Sequence, residues 1–257
     1  MSEGSTSALA GRQCAVTGAT GIAAATARLL AADGAAVHVV SNVEDDARSL
    51  AEEIGGTWAV ADLSDEAQTE AAFAPLERLD ALGVIAGGSG RPFGDGLLAD
   101  VSLAAWEATI RLNLTTAFLT AREGLRIMRR VGEGGAMVFV ASVAAFDAAP
   151  DMTGSHGYSA AKAGMIGLSH AVATTYARER IRSNVVAPSL VMTPMARRAA
   201  ANPDTVAYAE RKQPLARGFL QAGDIAGAVA WLCGETSAQI TGQVIAVDGG
   251  WTVSDGR

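Results

Sequence analysis

The sequence predicts an α/β fold, a doubly wound parallel sheet of about seven strands with helices on both faces. Three observations predict it. Short β-rich runs alternate with longer amphipathic stretches along the chain, the pattern of parallel strands joined by helical crossovers. Several runs, such as 137–141 (MVFVA) and 244–248 (VIAVD), are continuously apolar, as strands covered on both faces require. The 257 residues are 49% hydrophobic and 18% charged, enough to bury a large core and too apolar for a disordered chain. Residues 1–10 (MSEGSTSALA) read as a flexible tail and 11–257 as a single domain, with no linker or internal repeat between.

The strands are expected at 13–17, 36–41, 57–61, 82–86, 136–141, 182–187 and 243–247. Helices are expected at 22–32, 44–54, 65–78, 103–130, 157–178 and 224–233. In such a sheet ligands sit beyond the carboxyl ends of the strands, so each strand end is a candidate. The first runs into Thr17-Gly18-Ala19-Thr20-Gly21-Ile22-Ala23. Its glycines permit a tight turn, and the following helix N-terminus favours a pyrophosphate; two glycines after a strand are also simply a turn. The second strand ends in Ser41-Asn42, where a carboxylate would bind a ribose 2′-OH and an arginine a 2′-phosphate. Neither is present. Glu44, Asp45 and Asp46 oppose a phosphate and favour NAD over NADP, although they equally suit the first turn of a helix. Arg48 remains within reach of a phosphate. Beyond the third strand Asp62, followed by Leu63, can accept a bond from an adenine amino group. It can also cap the next helix, a role for which Ser64 is better placed.

The strongest feature is Tyr158-Ser159-Ala160-Ala161-Lys162. Residues four apart stack on one helix face. An ammonium beside a phenol favours the phenolate, lowers its pKa, and readies it to exchange a proton with a substrate oxygen. The chain has 20 lysines and arginines together, of which only Lys162 and Lys212 are lysine. A lysine at this position is therefore a specific choice, because arginine does not tune a pKa in the same way. Ser142, at the end of the fifth strand, can polarise a carbonyl or cap a turn. Asn113 stands inside a long helical stretch that it disfavours. It either binds a water or carbonyl that connects to Lys162, or is a tolerated exposed residue.

Net charge is −7 and the pI is about 5.0, which argues against a nucleic-acid partner. Cys14 and Cys233, far apart and with three histidines, form neither a disulfide framework nor a zinc site. The first ten residues lack signal-peptide features, and no apolar run reaches the roughly 18 residues of a membrane span. A cytoplasmic protein without membrane partners is expected.

Together these residues resemble the short-chain dehydrogenase/reductase family from about Gly11 to Val253. The matching pieces are Thr17-Gly18 with Gly21, Asp62-Leu63, Ala86-Gly87, Asn113, Ser142, Tyr158 with Lys162, Asn184 with Pro188, Thr193-Pro194, and Asp248-Gly249-Gly250. The resemblance implies a Rossmann-type domain, an NAD or NADP cofactor and a small alcohol or carbonyl substrate. It further implies that Ser142 positions the substrate oxygen, Tyr158 is the acid/base, and Lys162 tunes it and holds the nicotinamide ribose. Asn113 supports a water-linked relay, and the segment through Pro188, Val191 and Thr193 flanks the nicotinamide. Gly18, Thr20, Gly21, Ile22, Ser41, Asn42, Asp62, Leu63, Ala86 and Gly87 complete the cofactor set. Members are usually homodimers or homotetramers, here built near Asn113 and Tyr158. The chain departs from the compact subclass in its glycine spacing, in Ala23 for the third glycine, in Val84-Ile85 for two asparagines, and in Ser189 after Pro188. The altered loop keeps open a non-catalytic dinucleotide-binding scaffold or sensor, and its spacing suggests an epimerase or dehydratase.

Substrate walls are expected from 87–96, 143–157 and 192–218. The middle segment offers Val143, Ala144, Ala145, Phe146 and Met152, with His156 either facing water or touching substrate. In the last, Arg197, Arg198, Arg211, Lys212 and Arg217 outnumber Asp204 and Glu210. They form either a solvated helix face or a lid that attracts an anion.

Overall fold

The structure, a computed structural model, describes residues 9–147 and 154–256. Residues 1–8 of the expected tail and Met152 of the apolar segment lie outside the described residues. At the start of the described chain Leu9 is buried, and its N–H donates to the Asp33 carbonyl at 2.9 Å.

Seven parallel strands form one sheet. In chain order they are β1 (Gln13–Thr17), β2 (Ala36–Ser41), β3 (Thr57–Val60), β4 (Ala81–Val84), β5 (Gly135–Val140), β6 (Ile181–Pro188) and, after the short pair β7 (Val191–Met192) and β8 (Leu220–Gln221), β9 (Val244–Val247). The spatial order is β3-β2-β1-β4-β5-β6-β9. It reverses direction between β1 and β4, the switch point at which such sheets hold ligands.

The helices are α1 (Gly21–Ala32), α2 (Glu44–Ile54), α3 (Glu66–Phe73), α4 (Leu103–Ile110), α5 (Thr116–Val131), α6 (His156–Tyr176), α7 (Arg197–Ala200), α8 (Pro203–Lys212) and α9 (Ala222–Cys233). Strand side chains alternate between the two faces, and two cores result. Val16, Val138, Val140 and Val186 pack with Ala27 and Leu30 of α1 and Ile225 and Val229 of α9. Leu82, Met137, Phe139 and Val185 face the opposite way, onto Phe73, Ala121, Met128 and Met165. Each fully buried large side chain of this kind contributes roughly 1.5–3 kcal/mol.

Two expected helices change shape. The stretch 65–78 ends at Phe73, ahead of Pro75, which cannot continue a hydrogen-bonded turn. The stretch 103–130 is α4 and α5 joined by a π-helical turn, Arg111–Thr115. The helices α7 and α8 lie in the region read as substrate wall, and the short strands β7 and β8 at its two ends were not expected.

Opposite the ligand edge, Asp80 ties β1 to β4. Its carboxylate accepts from Arg12 at 3.1 Å, from the Gln13 N–H at 2.8 Å, and from Arg78 at 2.7 and 2.8 Å. Burial opposes the charge, but these hydrogen bonds outweigh it and hold the pKa below the ordinary carboxylate value. A carboxyl with a depressed folded pKa stabilises above its unfolded pKa, near 3.9, and loses that contribution as pH falls through the lower folded value. Asp80→Asn is therefore expected to lower stability at pH 7 by roughly 1–3 kcal/mol. Thermal melts between pH 7 and pH 3 check it: the gap between wild type and variant narrows only below about pH 4.

Candidate active site

The candidate centre lies where the start of α6 meets the carboxyl end of β5. Lys162 is 4% exposed, and its Nζ donates to the Val140 carbonyl at 3.0 Å. The same ammonium sits 5.6 Å from the centre of the Tyr158 ring. Ser142 stands two residues beyond β5. Its side chain lies close enough to Tyr158 to favour the phenolate, and its Oγ accepts the Ala144 N–H at 3.2 Å. Ser142 therefore caps a short turn, as one of its two readings expects, with its side chain beside the phenol.

The helical spacing does bring Tyr158 and Lys162 together, but it misjudges their acidity. Burial pushes the Tyr158 phenol up to about 12, with Ser142 pulling it partly back. Burial pulls the Lys162 ammonium down to about 8. Desolvation penalises each charged form, and a four-residue spacing reports proximity rather than dielectric. The phenol is protonated at neutral pH, the form that donates.

Asn113 is fully buried at the π-helical turn. Its Oδ1 accepts the Gly88 N–H at 3.1 Å, and its Nδ2 donates to the Gly88 and Thr109 carbonyls at 2.9 and 3.0 Å. The alternative of an exposed residue tolerated on a helix is thus corrected, and the amide binds carbonyls rather than solvent. Binding the Thr109 carbonyl through a side chain competes with the helix's own ladder, which accounts for the wider turn. Gly87 separates the two polar groups. A Cβ there would lie 2.7 Å from Asn113 Oδ1 and 3.7 Å from Lys162 Nζ.

The glycine turn after β1 fits a dinucleotide phosphate. Gly18 and Gly21 have φ of +92° and +55°. A Cβ on Gly21 would meet Thr193 Cγ2 at 3.0 Å, and one on Gly18 would meet Ala23 at 3.1 Å. The turn is thus closed against the segment after β6. Thr20, at the N-cap of α1, makes no side-chain cap, and the first turn of that helix holds no acidic residue. Its amides and Ile22 therefore face the turn without a competing anion. The remaining predicted residues stand along the same edge. Ser41 ends β2 with its Oγ accepting the Val43 N–H, and Asn42 is exposed beside it. Ala86 donates its N–H to Thr17 Oγ1 at 3.1 Å, so Thr17 joins the two loops at the switch point. Pro188 closes β6, Val191 is buried in β7, and Thr193 follows.

Asp62 serves the local turn: its Oδ1 accepts the Ser64 N–H at 2.9 Å and the Ser64 hydroxyl at 2.8 Å, which hold its pKa low. Leu63 is buried behind it. The cap of α3 is Asp65 rather than Ser64, accepting the Gln68 N–H at 2.9 Å.

Three further residues were not anticipated. Tyr208 and Trp251 meet edge to face at 5.5 Å and pack with Val143 and Leu190 into a small apolar cluster beside the ligand edge. Asp95 is 5% exposed and binds the first turn of α6. A lone aspartate in Gly94-Asp95-Gly96 carries no periodic signal beyond that of a turn. His156 is exposed, and its Nδ1 accepts the Leu98 N–H at 2.9 Å.

Fold and site together define a dinucleotide-binding α/β oxidoreductase. The family model described as enoyl-(acyl carrier protein) reductase matches residues 16–252. The chain is 38% identical over 255 residues to cis-4-hydroxycyclohexanecarboxylate dehydrogenase of Sinomonas cyclohexanicum, covering 95% of this chain and 98% of that one. A short-chain type dehydrogenase/reductase from Mycobacterium marinum superimposes with a TM-score of 0.87 at 28% identity, over 96% of this chain and 98% of that one. A candidate NAD(P)-dependent gluconate 5-dehydrogenase from Beutenbergia cavernae, solved with NADP bound at low occupancy, gives 0.87 at 30% identity, over 97% and 100%. The chain belongs to the short-chain dehydrogenase/reductase family. It is an NAD(P)-dependent oxidoreductase that interconverts an alcohol and a ketone or aldehyde. The scaffold reading is not favoured.

Proposed function

We propose that Tyr158 is the proton donor and acceptor of this reaction, with Ser142, Lys162 and Asn113 as its partners. The observation that carries the reading is the Tyr158 ring with the Lys162 ammonium 5.6 Å from its centre and the Ser142 side chain beside its phenol, at the switch point. When bound, the nicotinamide supplies or accepts the hydride at the substrate carbon. In the reducing direction the half-buried phenol gives its proton to the substrate oxygen, which the Ser142 hydroxyl orients. The resulting phenolate is stabilised by the Lys162 ammonium, which the Val140 carbonyl holds in place. Asn113 supports the relay by fixing Gly88 and the wide helical turn beside Lys162. The cofactor set is Gly18, Thr20, Gly21, Ile22, Ser41, Asn42, Asp62, Leu63, Ala86, Gly87, Tyr158, Lys162, Pro188, Val191 and Thr193.

The cofactor is read as NAD. Glu44, Asp45 and Asp46 line the first turn of α2, next to the end of β2. Arg48, the cation the sequence places within reach of a 2′-phosphate there, is paired with Asp45. The substrate is read as a small-molecule alcohol or ketone, in keeping with the hydroxycyclohexanecarboxylate relative. Exposed Leu103 and Phe118 on α4 and α5 support a homodimer or homotetramer built through these helices. Among the described residues no helix is long and apolar enough to cross a membrane; two buried free cysteines support a cytoplasmic setting.

The test is turnover of a panel of cyclic and acyclic secondary alcohols and their ketones, with NAD(H) and with NADP(H), followed by nicotinamide absorbance. We expect turnover with some members and kcat/KM at least about tenfold higher for NAD, equivalent to about 1.4 kcal/mol. A higher value for NADP overturns the cofactor reading. Dinucleotide binding with no turnover across the panel overturns the acid/base reading.

A further inference from the structure

Asp95 and Tyr158 are 63 residues apart in sequence and directly bonded in the fold. The Asp95 carboxylate accepts the Ser155 hydroxyl at 2.8 Å, the Gly157 N–H at 2.9 Å and the Tyr158 N–H at 2.9 Å. Among the described residues no arginine or lysine pairs with it within ion-pair distance. A buried carboxylate without a cation is tolerated where free amides at the start of a helix supply the positive potential. Ser155, at the N-cap of α6, makes no side-chain cap of its own and turns its hydroxyl to Asp95 instead. Capping of the helix that carries Tyr158 is thus handed to a loop on the expected substrate wall.

That loop is rigidly seated. The Asp95 N–H donates to the Gly90 carbonyl at 3.1 Å. A Cβ on Gly90 would lie 2.2 Å from Thr109 Oγ1, so the turn rests on α4. Two more bonds tie the next residues to α6. The Gly96 carbonyl accepts the His156 N–H at 3.2 Å, and the Leu98 N–H reaches His156 Nδ1 at 2.9 Å. Gly157 leaves the carboxylate its room, since a Cβ there would stand 3.0 Å from Asp95 Oδ1.

The geometry points to Asp95 as a positioning residue for Tyr158, clamping the backbone of the acid/base residue to the substrate loop so that the phenol meets Ser142. The inference rests on the reading of Tyr158 as acid/base. It differs from simple helix capping because the clamp joins the proton donor to the wall that holds its substrate. Misplacement of a reacting group by an ångström costs on the order of 100-fold in rate.

The test is Asp95→Asn, which keeps the shape but sets an amide N–H against a backbone N–H. Tyr158→Phe is assayed alongside. We expect kcat of Asp95→Asn to fall about 10- to 100-fold and the pH dependence of kcat to move by about half a unit or more. Its dinucleotide Kd is expected to stay within about twofold. A lowered melting temperature with kcat and its pH profile unchanged, measured well below the melting transition, would reduce Asp95 to a cap and overturn the proposal. If Asp95→Asn fails to fold, Ser155→Ala tests the same clamp from its other side, with about a threefold loss of kcat expected and the pH profile shifted in the same sense. An unchanged kcat and pH profile in folded Ser155→Ala then overturns the proposal. Turnover surviving in Tyr158→Phe sinks the acid/base reading itself. Turnover lost there but retained in Asp95→Asn sinks only the clamp.

Discussion

Tyr158→Phe is expected to lower kcat by about 10³-fold or more while dinucleotide affinity stays within about twofold. The substitution keeps the ring, and with it the packing beside Lys162, and removes one hydroxyl. That hydroxyl lies beside Ser142, and desolvation keeps it protonated to about pH 12. No other phenol replaces it: Tyr176 and Tyr208 are the remaining tyrosines. Tyr176 lies five turns along α6, and Tyr208 is stacked against Trp251. The pH dependence follows from the raised pKa. Carbonyl reduction needs the protonated phenol and is expected to be insensitive to this group through neutral pH. Alcohol oxidation needs the phenolate, and its rate rises with pH in the same range. Steady-state rates in both directions and a fluorescence titration with dinucleotide check the prediction. A variant that retains near wild-type kcat removes Tyr158 from the mechanism.

The sequence carries the site unevenly, and the physical reasons differ by residue. Tyr158 and Lys162 are legible because a four-residue spacing on a helix translates directly into contact. The glycine turn is legible as a shape, although its closure against Thr193 is not, since that contact joins residues far apart in the chain. Asn113 stands out as a poor helix former, yet a weak propensity does not specify the π-helical turn it occupies. The sheet and its crossovers follow from continuous apolar runs. The helices α7 and α8 are obscured by their polar, alanine-rich composition. Asp95 is silent in one dimension, because the α6 residues it binds lie 60 to 63 positions away, beyond α4, α5 and β5. The acidities are also beyond reach, since burial sets them. The spacing says that an ammonium stands near a phenol, but not that both are removed from water.

Lys162→Arg is expected to lose about 10²-fold or more in kcat/KM although the charge is kept. Nζ occupies a confined place, 3.0 Å from the Val140 carbonyl and 3.7 Å from where a Gly87 side chain would begin. A planar guanidinium is larger, and it stays charged at every accessible pH. It would displace Gly87 or the Tyr158 ring rather than sit beside them. The pH profiles separate charge from position. The wild-type ammonium, lowered to about 8 by burial, discharges near that pH, so activity that depends on its charge declines above it. In Lys162→Arg that decline disappears even as the absolute rate falls. Stability should move the opposite way in Lys162→Met. A lysine whose folded pKa lies below its unfolded value of 10.5 binds fewer protons when folded. Wild-type stability therefore rises as pH climbs from about 8 to 10.5 and carries the full penalty below 8. That penalty is on the order of 3 kcal/mol, less about 1 kcal/mol for the Val140 carbonyl that methionine leaves without a donor. Lys162→Met should consequently melt higher than wild type at pH 7, with the advantage vanishing toward pH 10.5, and should be inactive at both. Full activity in Lys162→Arg would show that a positive charge anywhere near the phenol is sufficient. A Lys162→Met variant no more stable than wild type at pH 7 would show that the ammonium is better solvated than its burial implies.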